Sequence, residues 1–151
     1  MKVTAHSRAS GPSWTLPPRS VGGFFLWTSG IHVGIVAADP VFYQHFADSA
    51  LVPGLAPAWR SVFMSHAALY GLVVASAEAA LALLLLGSPR SRRAGWCGVV
   101  GFHAALLCFG WGFWVWSLPA LALLVRSARR DWSGAYGPGS RDPMTLVDQG
   151  P

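Results

Sequence analysis

The sequence predicts an all-α, polytopic membrane protein: a bundle of four transmembrane helices with both termini in the cytoplasm. Three observations carry that expectation. Only 11% of the 151 residues are charged while 53% are hydrophobic, whereas a soluble domain has about a quarter charged side chains. The charge-free stretches match the roughly 20 residues that a bilayer-crossing helix needs. Lys and Arg gather in clusters between those stretches, as they do on cytoplasmic flanks. The same composition argues against a soluble enzyme and against nucleic acid as a partner. Cys97 and Cys108 form neither a disulfide framework nor a CxxC motif.

Residues 1–18 read as a flexible segment, 19–130 as the transmembrane domain and 131–151 as a flexible tail, rich in Gly and Pro without apolar periodicity. The first span is Ser20 to Ala38. Its basic approach and the run Val36-Ala37-Ala38 also fit a signal peptide cleaved before Asp39; we read the segment as a retained span. Asp39-Pro40 then reads as a helix start, with Asp as N-cap and Pro at the first helical position. A short helix over Val41–Leu51 is expected to lay Phe42, Tyr43 and Phe46 on the membrane surface, until Pro53, Gly54 and Pro57 stop it.

Ser61 to Leu86 is the second span, interrupted only by Glu78. Ala94 to Val125 contains no Asp, Glu, Lys or Arg in 32 residues. As one helix it would measure about 48 Å at 1.5 Å per residue, against a hydrocarbon core of about 30 Å. The basic residues resolve this mismatch. They cluster as Lys2, Arg8 and Arg19, as Arg90, Arg92 and Arg93, and as Arg126, Arg129 and Arg130, while the connection 39–60 sets Arg60 against Asp39 and Asp48. Keeping all three clusters inside requires an even number of crossings after Arg93. The third run is therefore a hairpin turning near Gly110-Trp111-Gly112. Gly30-Ile31-His32-Val33-Gly34 is a GxxxG element, and Gly98 and Gly101 form a related small-residue face; both are expected to bring helices close together.

An ionisable residue within a span is a functional candidate. His32, His66 and His103 fall at similar depth in the outer half, and His45 on the outer connection is placed to fold over them. One reading makes them cofactor ligands: His32, His66 and His103, with His45 completing a metal set, for copper, iron or zinc, or two facing imidazoles for haem. Met64 and Cys108 would add soft ligands. The structural reading has each histidine hydrogen-bonded to a neighbouring helix, since the spacing matches no ligand motif. A quinone or lipid headgroup on His32 or His103 lies between these two. The separation of the rings decides the issue, because metal–nitrogen bonds are about 2 Å and the rings must share one centre.

Glu78 is expected deeper, level with Ser29, Ser117 and Pro119, with no basic residue at its depth. It reads either as a proton site or as a carboxyl hydrogen-bonded to Thr28 or Ser29. Trp59 and Trp111 fall at the outer interface, and an aromatic belt accounts for most of the other tryptophans. Trp114 and Trp116 lie deeper, where they either pack or wall a flat cofactor.

Phe25-Leu26-Trp27-Thr28-Ser29-Gly30-Ile31-His32, followed by Asp39-Pro40-Val41-Phe42-Tyr43, resembles the opening of DoxX-like membrane proteins. Ala77-Glu78, a leucine run, Gly87 and the arginines after it resemble that family's second span. The resemblance covers about residues 20–125 and carries over Gly30, His32 and Glu78; His66, His103 and the Trp-rich fourth span depart from the pattern. It implies a four-helix subunit of the bacterial inner membrane, linked in some members to quinone-coupled redox complexes. The leading functional expectation is accordingly a non-catalytic accessory subunit of such an assembly, with the bilayer and larger protein subunits as partners. The alternatives are a haem- or metal-binding redox protein built on the histidines and a small proton-coupled transporter using Glu78.

Overall fold

The computed structural model describes residues 14–134, and these contain helices and turns without a strand. Pro17-Pro18 starts α1 (Pro18–Ala38), because proline at a helix start sacrifices no intrahelical hydrogen bond. Asp39 turns to extended backbone, and its carboxylate accepts from the Val41 N–H at 3.0 Å. Asp39-Pro40 thus begins a new element, as its residue types predict. That element is a 3-10 turn, Pro40–Tyr43, feeding α2 (Gln44–Ser49), rather than one helix over Val41–Leu51. Gly54 precedes α3 (Leu55–Ala58), which continues through a π turn, Trp59–Phe63, and a 3-10 turn, Met64–His66, into α4 (Ala67–Leu86).

Ser88 caps α5 (Pro89–Leu106), its hydroxyl accepting from the Ser91 N–H at 3.3 Å. After the 3-10 turn Leu107–Phe109, α6 (Trp111–Gly134) begins. The two helices part at Gly110, whose φ of 107° suits only glycine. A Cβ there would also strike the Ser49 carbonyl. The long third apolar run is therefore two helices, broken where the arginines require it.

Two helical segments, Pro18–Ala38 and Leu55–Leu86, are long and apolar enough to cross a membrane. Only 22% and 28% of their apolar windows are buried, which separates them from the mostly buried core helix of a soluble protein. Trp27, Leu69, Val73 and Leu83 instead face outward.

Helix α1 packs along α4, α4 against α5 and α5 against α6, while α1 and α6 meet only marginally. The core lies at the end carrying the arginines, where Val21 and Phe25 of α1, Ala82 and Leu85 of α4, Trp96 and Val99 of α5, and Leu124 and Ala128 of α6 interlock. Trp96 belongs to no interfacial belt: it is fully buried, and its indole N–H donates to Asp131 Oδ2 at 3.1 Å. Arg92 donates to the other oxygen of Asp131 at 3.3 Å. Asp131 is thus an anchored helical residue, and α6 continues to Gly134 instead of yielding to a tail at position 131. The backbone N–H of Leu16 donates to Ser127 Oγ at 2.9 Å, tying the chain ahead of α1 to α6. The expected flexible character of residues 1–13 and 135–151 lies outside the described residues.

Of the glycines expected to bring helices together, Gly98 does so, a Cβ there striking Leu81 of α4, while Gly101 faces open space. Gly30 and Gly34 face open space. At Gly71, by contrast, a Cβ would lie 2.6 Å from Val36 and 2.7 Å from the Tyr43 ring, so only a residue without a side chain lets α1 and the connection settle on α4.

Asp131→Ala would leave the buried Trp96 indole N–H and the Arg92 guanidinium without their shared acceptor. Each unsatisfied buried donor costs about 1–3 kcal/mol. Thermal unfolding of the purified protein in detergent is expected to show a lower midpoint for Asp131→Ala, with Asp131→Asn recovering part of the loss through its remaining carbonyl.

Candidate functional site

At the end opposite the arginines, the connection between α1 and α3 folds over the helices and closes a cavity. Its Leu51 N–H donates to the Cys108 carbonyl at 3.0 Å, and the Trp59 indole N–H donates to the Tyr43 carbonyl at 2.8 Å. The π turn places Trp59 and Phe63 on one side of their helix, stacked with centroids 4.0 Å apart and planes within 7°. Phe46 then packs on Trp59, Phe109 and Phe113. Such aromatic pairs contribute beyond their buried area. Tyr43 and Phe46 therefore turn inward, and of the three aromatics expected on the membrane surface only Phe42 is exposed.

The cavity measures about 340 Å³, and its walls are largely aromatic. Its polar groups come from α1, the connection, α4 and α5. His32 Nδ1 lies 2.7 Å from Tyr43 Oη, and His32 Nε2 lies 3.7 Å from Glu78 Oε1. The tautomer with hydrogen on Nε2 serves both neighbours: the Tyr43 hydroxyl donates to Nδ1, and Nε2–H points at the carboxyl group. Burial first, and the charge of Glu78 second, push the Tyr43 phenol above its ordinary pKa, so the hydroxyl keeps its proton and remains a donor. At 3.7 Å the His32–Glu78 contact is an electrostatic one, longer than a hydrogen bond.

The second oxygen of Glu78, Oε2, is buried without a hydrogen-bond partner. The side chain is 3% exposed, and a buried polar atom left unpaired is costly. Of the serine and threonine expected beside the carboxyl, Ser29 is directed elsewhere, while Thr28 keeps the expected side-chain hydrogen-bonding contact with the carboxyl group. Ser29 Oγ donates across the helix pair to the Ala75 carbonyl at 2.8 Å, and Thr28 Oγ1, beside the carboxyl, donates to the Phe25 carbonyl at 3.0 Å. On the far wall, His103 Nδ1 lies 2.9 Å from the Val99 carbonyl. The ring must donate there, which leaves Nε2 as a lone pair on a residue lining the cavity. Phe25 and Trp116 flank that ring.

The four histidines do not assemble. His32 and His103 line the cavity, whereas His66 is exposed, 3.0 Å from the Ser65 hydroxyl, and His45 is exposed beside Asp48 at 3.9 Å. Met64 and Cys108 do not line the cavity either. Among the described residues no group of three or more His, Cys, Asp and Glu is placed to hold a metal ion. His32 Nδ1 lies against the Tyr43 hydroxyl and its Nε2 faces Glu78. The expected set of His32, His45, His66 and His103 is thereby corrected to two cavity histidines with different roles. Glu78 is not isolated either. It meets His32, because the two side chains bridge the step in depth between them.

Tyr43 is the site residue that sequence reasoning left on the surface. Its signal was present in Gly71, the gap that its ring fills. Comparison with family models, with curated proteins and with solved structures returns no match to this chain.

Replacing each histidine separately is expected to divide them into two groups. His45→Ala and His66→Ala should shift stability by no more than about 0.5 kcal/mol, the range of ordinary surface changes. Tyr43→Phe, which keeps the ring and removes only the hydroxyl, should cost about 1 kcal/mol through the lost bond to His32. Denaturant or thermal unfolding in one detergent compares all three variants directly.

Proposed function

We propose that this chain is a four-span membrane protein of the bacterial inner membrane that binds a lipid-soluble quinol or quinone, as a non-catalytic subunit of a redox assembly. The observation that carries the reading is the apolar, aromatic cavity in which Glu78 Oε2 has no partner. Such cavities with a few convergent polar groups are the usual form of small-molecule sites. Flat rings suit the aromatic walls, and hydroxyl groups on the ring suit two acceptors, Glu78 Oε2 and His103 Nε2, that the protein leaves unpaired. A bound quinone pair supplies two-electron redox chemistry. The residues of this chain hold the ring, orient it and keep water from it, and Tyr43 and His32 keep the Glu78 side chain in position.

The arginine clusters support the four-span reading. Arg19 lies in the first turn of α1, Arg90, Arg92 and Arg93 begin α5, and Arg126, Arg129 and Arg130 lie near the end of α6. All sit at one end of the bundle, the end the positive-inside rule assigns to the cytoplasm. Arginines in the terminal turns can snorkel, which lets α5 and α6 cross as well. The resemblance of residues 20–125 to DoxX-like proteins points to the same class of subunit. Gly30 and Gly34, with open space before them on α1, suit close approach by a helix of a partner subunit.

Topology is testable by cysteine accessibility. In a chain with Cys97 and Cys108 replaced by serine, Ser49→Cys should react with an impermeant maleimide on intact cells, and Ser133→Cys only after permeabilisation. The reverse or equal labelling would overturn the assigned orientation.

Ligand binding is testable by quenching of tryptophan fluorescence, since Trp59 and Trp116 line the cavity. Protein in nanodiscs titrated with a benzoquinol should show saturable quenching. Glu78→Ala should weaken binding by 10-fold or more, the equivalent of a hydrogen bond of about 1.5 kcal/mol, while His66→Ala should leave it unchanged. Absence of saturable quenching, or equal binding by Glu78→Ala, would overturn the reading.

A further inference from the structure

A second apolar space adjoins the first. About 330 Å³ in volume, it lies between α1 and α6, with Val21 on one side and Ala120, Leu123 and Leu124 on the other. Phe24, Phe25 and His103 line both spaces, so the two share a wall. Phe24 is 49% exposed, so the shared wall reaches the outer surface of the bundle. This is also where the bundle is least closed, because α1 leans on α4 and barely meets α6. The groove descends toward the arginine end and stops at Leu16, whose N–H is held by Ser127 Oγ at 2.9 Å.

Resting on the quinol reading above, we propose that the ligand carries one long alkyl or prenyl tail, and that the groove between α1 and α6 holds this tail while the cavity holds the ring. The polar residues of the two walls differ in number. The cavity is lined by Tyr43, His32, Glu78 and Thr28, whereas the groove is lined by apolar side chains apart from Ser20 and the shared His103. A flexible hydrocarbon chain fills such a space by dispersion contacts and apolar burial. It also lets a molecule dissolved in the bilayer enter sideways past Phe24, ring first, without crossing water. A tail-less ring would gain nothing from the groove, so the groove selects for membrane-borne members of the ligand class over water-soluble ones.

The test uses two probes with the same ring, a benzoquinol without a tail and its decyl derivative, and the full chain in nanodiscs. Affinities are expressed per mole of lipid-dissolved probe, which removes the trivial effect of partitioning. Unmodified protein is expected to bind the decyl probe at least 10-fold more tightly than the tail-less one. Ala120→Trp, which fills the groove, should abolish that preference and leave tail-less binding within twofold. Val115→Trp, on a position 69% exposed and outside both spaces, should change neither. Photolysis of a decyl probe with a diazirine at the tail end gives a readout that needs no variant. Adducts should fall in 16–25 and 120–124. No preference for the decyl probe, an equal loss for both probes in Ala120→Trp, or adducts confined to other faces would overturn the tail site while leaving the ring site standing. Failure of unmodified protein to bind either probe would overturn the ring site, and the tail site with it.

Discussion

The site rests on how closely α1 lies along α4. His32 and Glu78 stand on different helices, and their side chains meet only because residues without bulk occupy the seam. Ser29 reaches the Ala75 backbone at 2.8 Å, and Gly71 leaves room for Val36 and for the Tyr43 ring. The Ser29 bond joins a side chain to a neighbouring backbone in surroundings where water cannot substitute, which sets the register of the pair as well as its distance. With the register set, the turn of α1 after Ser29 brings His32 opposite Glu78. Tyr43 then closes the row from above. A larger side chain at position 71 would move the tyrosine, and His32 would lose the contact that holds its tautomer.

The two ends of the bundle solve different problems. At the arginine end four helices converge on a filled core, where Trp96 and Arg92 share Asp131 and Ser127 holds the Leu16 backbone, while Arg92 Nε and the Trp132 indole N–H are buried there without hydrogen-bond partners. At the other end the chain surrounds a space with aromatic rings, and Glu78 and His103 stand in its wall. Unpaired polar atoms in an apolar interior destabilise, and of the buried unpaired atoms among the described residues Glu78 Oε2 is the one whose residue lines the cavity. The retention of such a group, in a cavity with room for a ring, connects the physical description to the binding function proposed for it.

Much of the architecture was legible in the residues. The run of charge-free positions and the arginine clusters located the helices, Asp39-Pro40 located a start, and the excess length of Ala94–Val125 required a break that falls at Gly110. Depth along the helices was legible for the same reason, since charges mark where a span ends. Rotation about each helix axis was not. Both α1 and α4 are apolar nearly all round, so their sequences carry no amphipathic stripe to say which face turns inward. His66 shares the depth of His32 and His103 yet points outward, and Gly30-x-x-x-Gly34 has the spacing of a contact face yet touches nothing within the chain.

The sequence by itself therefore determined the helical class of the molecule and the position of its main helices, because hydropathy and charge act along the chain. Only the tertiary structure decided that Tyr43 turns inward to His32, that His32 meets Glu78, that His45 and His66 stay apart, and that a groove runs from the cavity between α1 and α6. Those outcomes depend on the azimuth of each helix and on the steric fit of small residues against large ones across the seams. Such contacts join positions as distant as Ser29 and Ala75 or Trp96 and Asp131, and no periodicity within one segment encodes them.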